Sequence, residues 1–123
     1  MSVSDPVVIV SAVRTPLGRF QGELSPVSGN ALGAHAIKAA LDRAGLTAGK
    51  IDEVLMGCVL PAGQGQAPAR QAARAAGLPD AVGATTVNKV CGSGMKATML
   101  GHDLLRAGSA GIVVSGGMES MSN

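Results

Sequence analysis

The sequence predicts an α/β fold in which a mostly parallel sheet carries helices on both faces. Short apolar runs alternate with longer amphipathic segments, and prolines and glycines separate the two kinds of segment. The order βαβαβαβ implies parallel strands joined by right-handed crossovers. With 123 residues, of which 46% are hydrophobic and 15% charged, the chain is expected to form one modest core, as one domain or part of one.

The first strand and the first helix are predicted from an apolar run and a pair of helix signals. Residues 7–13 form a nearly continuous apolar run, which is typical of a strand buried on both faces. After a long polar loop, Ser28 or Asn30 can cap a helix that runs to Ala44, where Gly45 ends it. These residues predict the first βα unit.

The second βα unit is bounded by prolines and a glycine. Residues 54–60 predict a strand that ends at Pro61, and a Gly/Gln-rich loop follows it. Pro68 can occupy the first turn of a helix that continues to Ala76, because proline tolerates the first helical position. Gly77 then supplies the helix C-terminal glycine.

The remaining elements are a third strand over residues 84–90 with Cys91 at its end, a helix that follows and runs to Arg106, and a fourth strand over residues 111–115. The third helix is predicted to be mostly buried, since its polar residues form a single stripe at helical spacing. That stripe consists of Lys96, Asp103 and Arg106.

Composition excludes several classes of protein. The formal net charge of +2 includes no basic cluster and Phe20 is the only aromatic residue, so nucleic acid is not an expected partner. No stretch approaches the roughly twenty apolar residues of a membrane span, and the expected location is the cytoplasm, in soluble form. No His or Cys lies at metal-ligand spacing from Cys58 or Cys91, which indicates neither zinc nor a disulfide.

Cys91 is the candidate nucleophile, because it lies where an apolar strand ends and a helix begins, in the segment VNKVCGSGMKA. The unpaired N–H groups and the positive dipole end of a first helical turn stabilise a thiolate. The small residues Gly92, Ser93 and Gly94 would let a substrate carbonyl approach while backbone N–H groups bind its oxyanion. In parallel sheets, moreover, ligand sites lie beyond the carboxyl ends of the strands.

The residues alone leave two alternatives open. Cys91 could be a buried structural thiol at a tight packing point, since free Cys is among the most buried residue types; Cys58, within a predicted strand, is expected to lie in the core. Alternatively, Gly92, Gly94 and Ala97 satisfy the pattern G-x-G-x-x-[GA] of dinucleotide-binding turns. Glu119 follows the next strand, where a ribose-binding acid could lie.

The two histidines do not supply an obvious base for Cys91. His102 lies eleven residues further along the same helix, roughly 16 Å along its axis at about 1.5 Å per residue, and cannot touch the thiol. His35 lies on a mixed face of the first helix and is expected to be exposed or satisfied without a chemical role. A catalytic Cys91 would therefore need a base from outside this sequence.

Four segments, in order, resemble those of one family. VNKVCGSGMKA resembles the nucleophile segment of thiolases, and VVIVSAVRTPLGRF, GQGQAPARQAA and VVSGGMESMSN are similar to thiolase segments in the same sequence order. This ordered match favours a thiolase over a dinucleotide-binding protein. Lys89 and the segment GSGMK, residues 92–96, most resemble the acetyl-CoA acetyltransferase branch of the family.

The resemblance implies a reaction. The residue matching Cys91 attacks an acyl thioester, becomes acylated, and passes the acyl group to the carbanion of a second acetyl-CoA, giving acetoacetyl-CoA and CoA by Claisen condensation; thiolysis is the reverse. The backbone N–H of Cys91 would donate to the oxyanion. Coenzyme A thioesters are then substrates, no cofactor is expected, and family members are generally homodimers or homotetramers. Alternatives are a broader-range 3-ketoacyl-CoA thiolase and a non-catalytic fragment that retains only fold and subunit contacts.

Thiolases resemble this sequence over only part of their length, because they are much longer and have two similar halves. We therefore expect residues 1–123 to be a partial thiolase N-terminal domain. By resemblance, the remaining thiolase portion would hold the loop region that binds most of coenzyme A, the last strand of the first half, the activating histidine and a second, acid/base cysteine. With an open sheet edge, the chain alone is expected to be inactive and neither stable nor soluble.

Overall fold

The computed structural model describes residues 5–123, and its sheet has three parallel strands. These are β1 (Glu53–Gly57), β2 (Gly83–Val87) and β3 (Val113–Gly117), in the spatial order β2-β1-β3. Gly57, at the end of β1, is paired with Val87 of β2 and with Gly117 of β3. The carboxyl ends of all three strands are thus aligned at one edge of the sheet, which confirms the predicted parallel α/β class.

Three α-helices surround the sheet: α1 (Gly29–Ala44), α2 (Pro68–Ala75) and α3 (Ser93–Ala107). A short 3-10 helix, Ala48–Lys50, lies between α1 and β1. Ser28, rather than Asn30, caps α1, because its side chain accepts a hydrogen bond of 3.1 Å from the Ala31 N–H. No helix in the region 5–123 is both long and apolar enough to span a bilayer.

The helices lie on both faces of the sheet, as predicted. Since successive strand residues point to opposite faces, Val54 and Met56 of β1 face the cluster formed with α1 and α2, and Leu55 faces α3. Cys58 follows β1 and is 1% exposed, which confirms its expected place in the core. The main cluster comprises the following buried residues: Ala34, Ile37, Leu41, Ile51, Val54, Met56, Cys58, Ala69, Ala72, Ala73, Ala76, Leu78, Val82 and Met118.

The predicted first strand is wrong. Residues 7–13 belong to no strand, and Val8, Ile9 and Val10 are 71%, 79% and 67% exposed. An apolar run favours burial, but a strand also needs a neighbour that accepts and donates its backbone hydrogen bonds. In the described region β1 is paired on both sides and residues 7–13 pair with none of the three strands. The predicted order βαβαβαβ is therefore αβαβαβ.

The expected burial of the third helix is also wrong. Only Ser93, Ala97 and Gly101 of α3 are buried, and these residues are spaced four apart along one narrow stripe. Met95 and Met99 are 71% and 53% exposed. The sheet covers one face of this helix, and no helix or strand within residues 5–123 covers the other.

Candidate active site

Cys91 lies in a short turn between β2 and α3, at the carboxyl edge of the sheet. The strand ends at Val87, three residues earlier than predicted, and the helix begins at Ser93. Two hydrogen bonds form the turn: Gly92 N–H donates to the Lys89 carbonyl at 3.0 Å, and Ser93 N–H to the Val90 carbonyl at 3.1 Å. Cys91 is exposed, in contrast with the buried Cys58. Within residues 5–123, Cys91 is therefore not packed in the core as Cys58 is.

The residue before Cys91 has an unusual backbone conformation. Val90 has φ 49°, in the left-handed region that β-branched residues rarely adopt, and such a conformation costs of order 1–3 kcal/mol. The Asn88 side-chain oxygen accepts from the Val90 N–H at 3.0 Å. The Ser93 hydroxyl donates to the Val90 carbonyl at 2.6 Å and accepts from the Lys89 N–H at 2.7 Å. Both backbone polar groups of Val90 are thus bonded to neighbouring side chains.

Three glycines let the start of α3 lie directly on the sheet. A Cβ atom added at Gly57 would be 2.6 Å from the Gly94 nitrogen and from the Ser93 carbonyl carbon. One added at Gly117 would be 3.3 Å from the Gly94 Cα. Since Gly57 and Gly117 are paired at the ends of β1 and β3, the first turn of α3 rests on both strand ends. This close approach fixes the height of the Cys91 turn above the sheet.

Glu119, the candidate ribose-binding acid, is instead part of the fold. Its two carboxylate oxygens accept hydrogen bonds of 2.8 Å from the Val59 N–H and 3.0 Å from the Leu60 N–H. The Cys58 sulfur lies 3.8 Å from the Glu119 Oε1 atom. Burial raises the pKa of the Cys58 thiol, and the Glu119 charge raises it further. Glu119 therefore holds the loop after β1.

The histidines are placed as the sequence predicts, away from a role at Cys91. His102 lies near the C-terminal end of α3, where its Nε2 atom is 2.6 Å from the Asp5 carboxylate. This hydrogen bond raises the pKa of His102. His35 is exposed on α1. Across residues 5–123 no three His, Cys, Asp or Glu side chains are grouped as a metal site would require.

Comparison with known proteins identifies the fold and its family. The family model described as "Thiolase, N-terminal domain" matches residues 7–123. The chain belongs to the thiolase family. Among solved structures, the Acat5 thiolase from Ascaris suum in complex with coenzyme A has a TM-score of 0.92 and 43% sequence identity, over 94% of this chain and 30% of that one. The resemblance inferred from the four sequence segments is confirmed.

Thiolase relatives of known name are more similar still in sequence. The chain is 59% identical over 116 residues to an acetyl-CoA acetyltransferase from Cupriavidus necator, covering 94% of this chain and 30% of the relative. It is 57% identical over 117 residues to the mitochondrial acetyl-CoA acetyltransferase B of Xenopus laevis, covering 95% of this chain and 28% of the relative. The chain thus spans about 30% of the length of these thiolases.

The hydrogen bonds of the Cys91 turn are what the sequence did not predict. Ser93 was significant in the sequence only for its small size, yet its hydroxyl bridges two backbone groups across the turn. Asn88 was not a candidate, although Asn and Ser are the residues whose side chains bond nearby backbone groups. Asn88 lies three residues before Cys91 and Ser93 lies two residues after it, and this spacing is the signal that could have identified them.

Proposed function

We propose that this chain supplies the nucleophile-bearing part of an acetyl-CoA acetyltransferase. The Cys91 sulfur attacks the carbonyl carbon of acetyl-CoA, and the tetrahedral intermediate collapses with loss of the CoA thiolate, leaving an acetyl thioester on Cys91. A second acetyl-CoA loses an α-proton to a base, and its carbanion attacks that thioester. Acetoacetyl-CoA forms and the Cys91 thiolate is released; the reverse sequence is thiolysis.

The observation that carries this proposal is the position of Cys91. It is an exposed thiol on a turn at the carboxyl edge of the sheet, directly before α3, in a chain of the thiolase family. The backbone N–H of Cys91 is the proposed donor to the oxyanion. The names of the relatives favour acetyl-CoA over a broader range of 3-ketoacyl-CoA substrates.

We propose that the remaining catalytic groups come from a further thiolase portion. The described histidines do not serve Cys91, so the activating base, the second acid/base cysteine and most of the coenzyme A site lie elsewhere. The accessible surface supports this, since it is 7525 Å² where a compact monomer of 12.1 kDa exposes about 6,000 Å². Part of the exposed surface is then covered by that portion or by other subunits, in a homodimer or homotetramer.

The cytoplasmic location also stays a prediction. The names of the relatives differ in the location that they give. Those from Xenopus and Danio rerio are called mitochondrial, and those from Cupriavidus and Pseudomonas carry no such label.

Thiolysis of acetoacetyl-CoA by CoA tests the proposal. We expect no turnover by the 123-residue chain alone and turnover when a polypeptide supplying the remaining thiolase portion is added. Cys91→Ser should abolish that turnover, whereas Cys58→Ser should leave the chemical step unchanged. Thiolysis by this chain without another polypeptide would contradict the proposal that the activating base comes from a further thiolase portion. Turnover by the Cys91→Ser complex would contradict the assignment of the nucleophile.

A further inference from the structure

The hydroxyl of Ser93 fixes the peptide unit that contains the Cys91 N–H. Ser93 is the first residue of α3 and is 4% exposed. Its hydroxyl donates to the Val90 carbonyl at 2.6 Å, beside the Ser93 N–H at 3.1 Å, and accepts from the Lys89 N–H at 2.7 Å. The Val90 carbonyl and the Cys91 N–H belong to one planar, trans peptide unit, in which the two groups point in opposite directions. Anchoring the carbonyl therefore sets where the N–H points.

Asn88 holds the same turn from the other side. Its side-chain oxygen accepts from the Val90 N–H at 3.0 Å, and its amide nitrogen donates to the Val59 carbonyl at 3.4 Å. Val59 is in turn held through its own N–H by Glu119 at 2.8 Å. The Cys91 turn is thus connected to the loop after β1 as well as to α3.

Among residues 5–123, packing does not impose the conformation of Val90, since the residue is 65% exposed. Its left-handed backbone at φ 49° is instead stabilised by hydrogen bonds on both its N–H and its carbonyl. A turn without those bonds would relax toward negative φ, and that relaxation would rotate the peptide before Cys91.

We infer that Ser93 and Asn88 are positioning residues, which hold Val90 in the left-handed conformation and thereby aim the Cys91 N–H at the oxyanion of the acylation step. This inference rests on the proposed function, because it assigns the N–H a part in that step. The bond to the Val90 carbonyl also polarises the peptide unit, which makes its N–H a stronger donor. Neither side chain need touch the substrate.

Two reagents that differ in their need for an oxyanion test the inference. Acetylation of Cys91 by p-nitrophenyl acetate passes through a tetrahedral oxyanion, whereas alkylation by iodoacetamide is a direct displacement at carbon and forms none. We expect Ser93→Ala and Asn88→Ala each to slow acetylation of Cys91 about 10- to 100-fold. Alkylation should change less than about threefold, and both rates are followed by peptide mass spectrometry.

Thr98→Val is the matched control, since it removes a hydroxyl from the same helix that bonds the Gly94 carbonyl at 3.1 Å and not the Cys91 turn. It should leave both rates unchanged. Cys58 reports on folding, because it is buried and alkylates only when the fold opens.

Equal slowing of the two reactions, unchanged acetylation, or rapid alkylation of Cys58 in both alanine variants would overturn the positioning role. The proposed function fails in a different way. If acetyl-CoA does not acetylate Cys91 of the unsubstituted chain in the presence of the remaining thiolase portion, while Ser93→Ala and Asn88→Ala slow acetylation and not alkylation, the turn positions the N–H but the thiolase reaction is not its purpose.

Discussion

A methyl group added at Gly57 is expected to force the start of α3 away from the sheet. The new Cβ would lie 2.6 Å from the Gly94 nitrogen and the Ser93 carbonyl carbon, where ordinary contact begins at 3.4 Å. The first turn must therefore move by about 0.8 Å, because neither backbone atom can rotate aside. Overpacking of this kind costs about 1–3 kcal/mol, and a clash with two backbone atoms indicates the upper half of that range for Gly57→Ala.

Gly116→Ala provides a matched control in the neighbouring strand. A Cβ at Gly116 would meet its nearest atom, the Met56 sulfur, at 3.5 Å, which is ordinary contact. The change in stability should stay within about 0.5 kcal/mol. The two variants add the same group to the same sheet and differ only in what it meets.

Thiol exchange with a disulfide reagent measures the effect under native conditions. Cys91 is exposed and reacts at once in every variant, whereas the buried Cys58 reacts only through opening of the structure. A loss of 2–3 kcal/mol corresponds to about 30- to 150-fold faster labelling of Cys58 in Gly57→Ala. If Cys58 in that variant reacts at the unsubstituted rate, or Gly116→Ala accelerates it equally, the glycine contact does not fix α3.

Three further substitutions have defined outcomes. Glu119→Gln removes the carboxylate whose oxygens accept hydrogen bonds from two backbone N–H groups. The loss of about 1–2 kcal/mol should make labelling of Cys58 in the same assay about 5- to 30-fold faster. An unchanged rate would show that Glu119 does not hold the loop after β1. Ser28→Ala removes the cap of α1, and amide exchange at the N-terminal turn should accelerate about fivefold, for about 1 kcal/mol. Asp5→Asn should lower the pKa of His102, measured by NMR titration of its ring, since hydrogen bonding to Asp5 raises it; an unmoved titration refutes that contact.

The pH range over which the Asp5–His102 contact stabilises the fold follows from its two pKa directions. The pKa of His102 is raised in the folded chain, so its contribution is complete below about pH 6.5 and is lost as pH rises through the raised value. The pKa of Asp5 is lowered, chiefly by the hydrogen bond with His102. Its contribution is present above about pH 4 and is lost as pH falls through the lowered value.

The sequence predicts helix limits well where they depend on local chemistry. The predicted second helix begins at Pro68 and ends within one residue of the observed α2, Pro68–Ala75. The predicted first helix ends at Ala44, as α1 does, because Gly45 takes the left-handed conformation at φ 67°. Proline and glycine act through their own backbone preferences, which require no knowledge of distant residues.

Features that depend on distant partners could not be predicted in the same way. The apolar pattern of residues 7–13 says that they favour burial, but not whether a strand lies beside them. The methionines of α3 are exposed because no element within residues 5–123 covers that face of the helix, and local periodicity does not show whether one does. The hydrogen bonds of the Cys91 turn depend on a left-handed Val90, for which a β-branched side chain gives no signal.

Acetylation of Cys91 by acetyl-CoA, in the chain combined with a polypeptide that supplies the remaining thiolase portion, tests the central proposal most directly. After incubation and digestion, mass spectrometry compares the peptides that contain Cys91 and Cys58, the only two cysteines of the chain. We predict one acetyl group on Cys91, lost again when CoA is added in excess, and none on the buried Cys58. An unmodified Cys91, or equal acetylation of the two cysteines, would contradict the assignment of Cys91 as the nucleophile.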